Sequence, residues 1–293
     1  MITDLERIPG RREQIGPGSH VTRFLPTRLR RRIGAWCFLD HFGPVPAGAG
    51  GMSVGPHPHV GLQTASWLFE GQIHHLDSVG FSQVIRPGQL NLMTAGRGIA
   101  HSEDVGESPR GLHGVQLWIA LPESARHVEP TFAHHHDLPL VSQGDLRARI
   151  VIGELLGERS PAQVYTPLLM AELRGAGLTK VPLRDDFEHG LVVFQGSAQV
   201  AGQPLEPGEL LYLPPGSDHL ALSLEPEARA ILLGGEPFPE PLLMGWNWVV
   251  RTNDELVAVH EAWARGEGHG DLAIFGDRPR IPAPPLRGPL TAR

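Results

Sequence analysis

The sequence predicts an all-β protein built from two consecutive halves, and three observations carry that reading. Glycine (36) and proline (28) are abundant and spread through the whole chain, which favours short strands joined by tight turns. Apolar runs of strand length recur between turn signals in both halves. One helical pattern, late in the chain, stands apart from them. The length of 293 residues accommodates about two domains of ordinary size, with 41% hydrophobic residues to fill their cores.

The first group of strands lies within residues 60–120. Residues 62–69 (LQTASWLF) form a β-type run closed by Glu70-Gly71. Residues 73–76 follow, then a turn at residues 77–80, then residues 81–85 up to Arg86-Pro87-Gly88. Residues 115–121 make a further run that stops at Pro122. Such spacing points to a sandwich or barrel and away from alternating strands and helices. Residues 132–144, which hold His134-His135-His136, read as the junction, with the three histidines in a polar loop. The expected domains are therefore residues 1–131 and 132–293. In the second, residues 148–152, 168–173, 190–194, 198–200, 210–213, 220–224 and 229–233 all read as strands. The helix starts at the capping box Thr252-Asn253-Asp254-Glu255, continues through Leu256, Val259, His260 and Trp263, and ends in the glycines of residues 266–270. The proline-rich tail, residues 278–293, is either extended across the body or disordered.

A net charge of -7 gives no electrostatic footprint for phosphate backbones, so direct nucleic-acid binding is not expected. The basic run Arg28-Leu29-Arg30-Arg31-Arg32 reads as a solvated loop or strand edge. The single cysteine, Cys37, has no internal disulfide partner and sits among apolar neighbours, as a buried, inert thiol would. Neither an apolar leader segment nor a membrane-length apolar stretch occurs, so a soluble, cytoplasmic protein is expected.

The strongest chemical signal is a pair of pairs: His57-Pro58-His59 and His101-Ser102-Glu103. In extended chain, residues two apart point to one face, so each pair can aim both side chains into a barrel interior. Three neutral nitrogens and one carboxylate suit a divalent first-row metal and leave coordination positions open. A lone HxH would read better as ordinary turn histidines. Here both pairs are flanked by glycine-rich turns, and the second follows Thr94-Ala95-Gly96-Arg97-Gly98, where backbone can approach a site closely.

At these residues the chain resembles the pirin family. Gly51, five residues, then His57-x-His59 resembles the first cupin motif. HPHVGLQTASWLFEG, HHLDSVG, PGQLNLMTAGRGIAHSE and HGVQLWIAL follow in pirin order and spacing, and LDHFGP at residues 39–44 fits as well. The resemblance implies two tandem cupin barrels of the double-stranded β-helix (jelly-roll) type. It also implies one metal, held in the first barrel by His57, His59, His101 and Glu103. Gln63 stands where pirins usually carry glutamate, which leaves Glu103 as the sole carboxylate. Asn91-Leu92 replaces a more usual Gln-Trp, so the pocket wall is expected to differ. In the second half, Gly208, Pro214-Pro215-Gly216 and His219 match the second cupin motif, but only the lone His189 lies upstream. That half resembles a cupin without metal, with His219 structural.

The activity implied by bacterial pirins is that of a quercetin 2,3-dioxygenase, with a small aromatic substrate and dioxygen as reactants. Glu103 would then be ligand, and either it, as catalytic base, or an adjacent water would take the substrate's proton. Of His113 and Gln116, which have opposite parity, at most one faces the pocket. The donor set accepts Fe(II), Mn, Co, Ni, Cu or Zn, and Fe(II) is the expectation. The alternative is a metal- and redox-dependent regulatory protein that binds a partner protein without turnover. Isomerase chemistry on a sugar-like ligand would need basic pocket residues that the sequence does not place.

Overall fold

The computed structural model describes residues 5–15, 20–46, 53–105 and 111–291. Gly51, the first residue of the cupin-like motif, lies outside them. The chain divides into two compact units, each with a β-barrel. The first comprises Gln14–Val21, His41–His136 and Pro239–Arg293; the second comprises Met1–Glu13, Thr22–Asp40 and Asp137–Phe238.

Four strands come first: β1 (Glu6–Pro9), β2 (Arg11–Gln14), β3 (His20–Leu25) and β4 (Trp36–Val45). The first barrel is then built from β5 (Val54–His59), β6 (Leu62–Glu70), β7 (Ile73–Asp77), β8 (Ser82–Ile85), β9 (Leu90–Thr94), β10 (Ile99–Val105), β11 (Leu112–Ala120) and β12 (Thr131–His135). One sheet runs β5-β10-β7-β8 and the other contains β12-β9-β6-β11. Contacts from β5 to β11 (His59 with Trp118) and from β6 to β10 (Ser66 with Glu103) close the two sheets over a shared interior.

The second barrel repeats the plan with β13 (Leu140–Gln143), β14 (Leu146–Ile152), β15 (Glu154–Leu155), β16 (Glu158–Arg159), β17 (Leu168–Arg174), β18 (Gly177–Pro182), β19 (Glu188–Gln195), β20 (Ala198–Val200), β21 (Gln203–Leu205), β22 (Glu209–Leu213), β23 (His219–Leu224) and β24 (Arg229–Gly235). Its sheets are β1-β22-β19-β24-β17-β14-β13 and β18-β23-β20-β21. Alternate residues of each strand, such as Leu191 and Val193, Leu211 and Leu213, and Leu220, Leu222 and Leu224, fill one apolar core. Two arginines of the basic run are tied into this unit. Arg30 pairs with Glu6 and lies over the Tyr212 ring, and Arg32 donates to the Phe238 carbonyl. Cys37 is buried, as expected.

The last segment differs from the expected division. After β25 (Leu243–Gly245) and β26 (Trp248–Val250), helix α1 (Asn253–Arg265) starts as its capping box predicts, with Thr252 Oγ1 accepting from the Glu255 amide at 3.1 Å. Gly266 ends it in the left-handed conformation. Leu256 and Trp263 do not pack on the second half, however; they join Val60, Ala100 and Trp248 in a cluster of the first barrel. A capping box fixes where a helix starts and carries no information about its partner. Residues 131–135 also depart from the junction loop: they form β12 and pair with β9, so the expected boundary falls within a strand.

Candidate metal centre

Strands β5 and β10 run antiparallel, with Ile99 opposite His59 and His101 opposite His57. The two-residue spacing therefore brings three imidazoles to one face, and their donor atoms lie within 4.8 Å of one another. All three rings are buried. His57 Nδ1–H donates to the Gly55 carbonyl at 2.9 Å, and His59 Nδ1–H donates to the Asn247 carbonyl at 3.0 Å. His101 is oriented by side chains instead. Asp77 Oδ2 accepts from His75 Nε2 at 2.8 Å, and the other nitrogen of that ring lies 3.3 Å from His101 Nδ1. In neutral rings this sequence of bonds places the His101 proton on Nδ1. Asp77 is itself held by the amides of Val79 and Phe81, and His75 stacks on Phe132 at 4.4 Å.

With Nδ1 protonated in each ring, three Nε2 lone pairs face one another, and those of His59 and His101 are 3.1 Å apart. Burial lowers the His57 pKa to about 4 and takes His59 and His101 well below the usual histidine value, the neighbouring imidazoles adding to the effect. A proton is thus disfavoured between them near neutrality, and a bound cation is what relieves the lone-pair repulsion. The residues fit a divalent metal: three neutral nitrogens, each with its other nitrogen anchored.

Glu103 shares β10 with His101 but stands outside that three-donor group. Its buried carboxyl accepts from Ser66 Oγ at 3.4 Å, and burial raises its pKa, with His75 and Ser66 opposing the rise. Ser66 belongs to a row of directly opposed polar residues, Gln116 (β11), Ser66 (β6), Asn91 (β9) and His134 (β12). Facing positions share one side of a sheet, so this row lines the interior that Glu103 enters. Asn91 Oδ1 accepts from His134 Nδ1–H at 2.7 Å, which gives the departure at position 91 a structural role.

Gln116 therefore faces the interior, while His113 turns away to His41 (2.8 Å) and Phe69. Gln63 is buried and donates to Thr94 Oγ1 at 2.9 Å. His219 is half-exposed beside Asp218, and among the described residues no three-donor group forms in the second barrel. Sequence reasoning missed His75, Asp77 and His134. The parity of β7, which turns His74 outward to Ser82, could have singled out His75 and Asp77.

Two family models match the chain: Pirin over residues 18–119, and the Pirin C-terminal cupin domain over residues 168–268. The human protein Pirin is 30% identical over 84% of this chain and 87% of its own length. The chain belongs to the pirin family. A relative from Pseudomonas aeruginosa, named "Putative quercetin 2,3-dioxygenase", is 44% identical over 96% of this pirin-family chain and 90% of its own. The crystal structure of a quercetin 2,3-dioxygenase from Acinetobacter baumannii superposes with a TM-score of 0.94 at 41% identity, covering 98% of this chain and 97% of that one. Two tandem cupin barrels are thus the fold of this pirin-family member.

Proposed function

We propose that this chain is a metal-dependent dioxygenase that opens a flavonol such as quercetin, with His57, His59, His101 and Glu103 holding one divalent metal. The observation that carries the reading is the cluster of three buried, neutral imidazoles beside a buried carboxyl and a polar wall. A metal bound there supplies a Lewis acid for the substrate hydroxyl and a path for electrons between substrate and dioxygen. The protein's part is to receive, orient and deprotonate. Glu103, a buried carboxylate on the strand of His101, is the base placed to take the proton of the flavonol 3-hydroxyl. Gln116, Ser66 and Asn91 offer hydrogen-bond partners to the remaining hydroxyls, and Trp118, beside His59, supplies an apolar face. The reaction balances without an external reductant: both atoms of dioxygen enter the opened product, and one ring carbon leaves as carbon monoxide. The names of the Pseudomonas and Acinetobacter relatives support the same substrate class.

Oxygen uptake and carbon monoxide release with quercetin test the proposal, on protein loaded in turn with Fe, Mn, Co, Ni, Cu or Zn. Glu103→Gln, at metal occupancy verified on the same sample, is expected to turn over about 10²–10⁴-fold more slowly. Full activity in that variant would remove the base role. Absence of turnover in the parent chain across all metals and a flavonol panel would overturn the enzyme reading.

A further inference from the structure

The second barrel contains a cavity that the proposed reaction does not use. Its volume is about 970 Å³, at the upper end of the range of about 300–1,000 Å³ typical of small-molecule sites. The hairpin β15–β16, the segment that follows it to Pro167, and residues of β17 and β19 line it. Leu155, Leu169 and Phe187 belong both to this wall and to the barrel core, so the cavity opens onto the core.

Two polar groups in this wall are left over by the fold. His189 is 1% exposed, and neither of its ring nitrogens makes a well-formed hydrogen bond, only the Phe187 backbone lying close enough to interact; the buried Oγ1 of Thr166 has no partner. Buried polar atoms are normally paired, and leaving one unpaired costs stability. Room for the imidazole is built into the strand beside it. Gly234 faces His189 on one side and Leu169 on the other, and a Cβ there would stand 3.0 Å from His189 Cδ2 and 3.3 Å from its Nε2. Burial pulls the His189 pKa down to about 4, Asp186 and the Phe187 backbone offsetting only part of it. The ring is therefore neutral at pH 7, with one donor and one acceptor.

The charges of the wall narrow the ligand further. Arg159 pairs with Glu154 at 2.7 Å, and Arg184 pairs with Asp186 and Glu236, so both cations already have carboxylate partners. His219 lies outside the lining, so His189 gains no second imidazole for a metal. What remains is a half-open cavity of mixed lining, with the apolar side chains of Leu155, Leu169 and Phe187 in its wall and one neutral imidazole and one hydroxyl to satisfy. We propose that this cavity binds an uncharged, hydroxyl-bearing aromatic molecule, whose hydroxyl pairs with His189 while Thr166 offers a second partner. The inference stands independently of the metal centre and of the reaction proposed for it.

Calorimetric titration of the full chain with 2-naphthol tests it, with naphthalene as the probe of the same shape lacking the hydroxyl. One saturable site per chain is expected, and it should persist when His57 and His101 are both replaced by alanine. His189→Leu should weaken 2-naphthol binding about tenfold, the usual worth of one hydrogen bond, and leave naphthalene unaffected. Ala162→Trp, which fills the lining, should abolish binding of both probes. If circular dichroism shows that variant unfolded, Val164→Trp, at a half-buried position in the same wall, replaces it. Absence of a saturable site, equal affinity of the parent chain for both probes, or 2-naphthol binding unchanged by His189→Leu and by the tryptophan variant would each overturn the proposal. So would binding lost with His57 and His101, because that would place the probe in the first barrel.

Discussion

Asp77 acts on the candidate metal centre through His75, and that indirect route yields a measurable expectation. Replacing His75 with phenylalanine keeps the stacking shape on Phe132 and removes the acceptor that fixes the His101 proton on Nδ1. Metal affinity, measured by competition with a chromophoric chelator, should fall about 10–100-fold, the usual effect of losing a group that orients a ligand histidine. Unchanged affinity would show that the His101 tautomer needs no help. His189 gives a pH prediction. Its pKa is about 4 in the folded chain, against about 6.5 in an unfolded one. Between those values the unfolded chain binds the extra proton, so the neutral ring's contribution is present above about pH 6.5 and is lost as pH falls to about 4. The loss is on the order of 2–3 kcal/mol. Urea unfolding of the parent chain at pH 7 and pH 4.5, set against His189→Leu, should show a smaller acid loss in the variant. The cluster of His57, His59 and His101 was legible because the period of two in a strand is a local rule. His75 was only half legible: parity groups it with Asp77 and apart from His74, and the pairing of β7 with β10 shows that theirs is the face turned to the centre.

The C-terminal tail ties down β5 and β10, the strands that carry the three imidazoles, from outside. Arg278 forms a two-pronged pair with Asp104 (2.6 and 2.9 Å) and reaches Ser102 Oγ, the residue between His101 and Glu103. Three residues on, the Ile281 amide donates to the carbonyl of Pro56, next to His57, while the Ile281 carbonyl accepts from Trp263 Nε1 of α1. Of the two fates open to the tail from its proline content, the extended one is therefore observed. The ion pair is partly exposed, so Arg278→Ala should lower stability by roughly 1 kcal/mol or less. Deleting the chain from residue 278 onward removes every one of these ties. It should accelerate metal loss to a chelator with little change in the far-ultraviolet spectrum; an unchanged off-rate would show that the tail only covers the strands. Strand β12 teaches the same lesson from the other side. Three consecutive histidines read as a polar loop, and only the pairing of residues 131–135 with β9, more than thirty positions earlier, reveals a strand.

For the whole molecule the expected metal count is one per chain. The first barrel alone supplies a three-donor group among the described residues, and His219 in the second is half-exposed on Asp218. His57→Ala with His101→Ala should yield folded, nearly metal-free protein by elemental analysis, and His219→Ala should keep the parent's content. Two tightly held metals per chain, or loss of metal in the His219 variant, would refute the assignment. The two-barrel architecture was legible because strand periodicity and both motifs are written locally. The membership of the terminal segments was not, because it rests on contacts between opposite ends of the chain: β1 pairs with β22, and β26 and α1 pack beside Val60 and Ala100.

That exchange of ends sets an order of events during synthesis. The second barrel has all its pieces once Phe238 has left the ribosome, because residues 1–13 emerged long before. The first barrel lacks the segment from Pro239 onward until the whole of the second has been made, although β5 and β10 are made early. Two stretches of the first barrel, separated in sequence by most of the second, must therefore meet before the cluster around Val60, Ala100 and Trp263 can close.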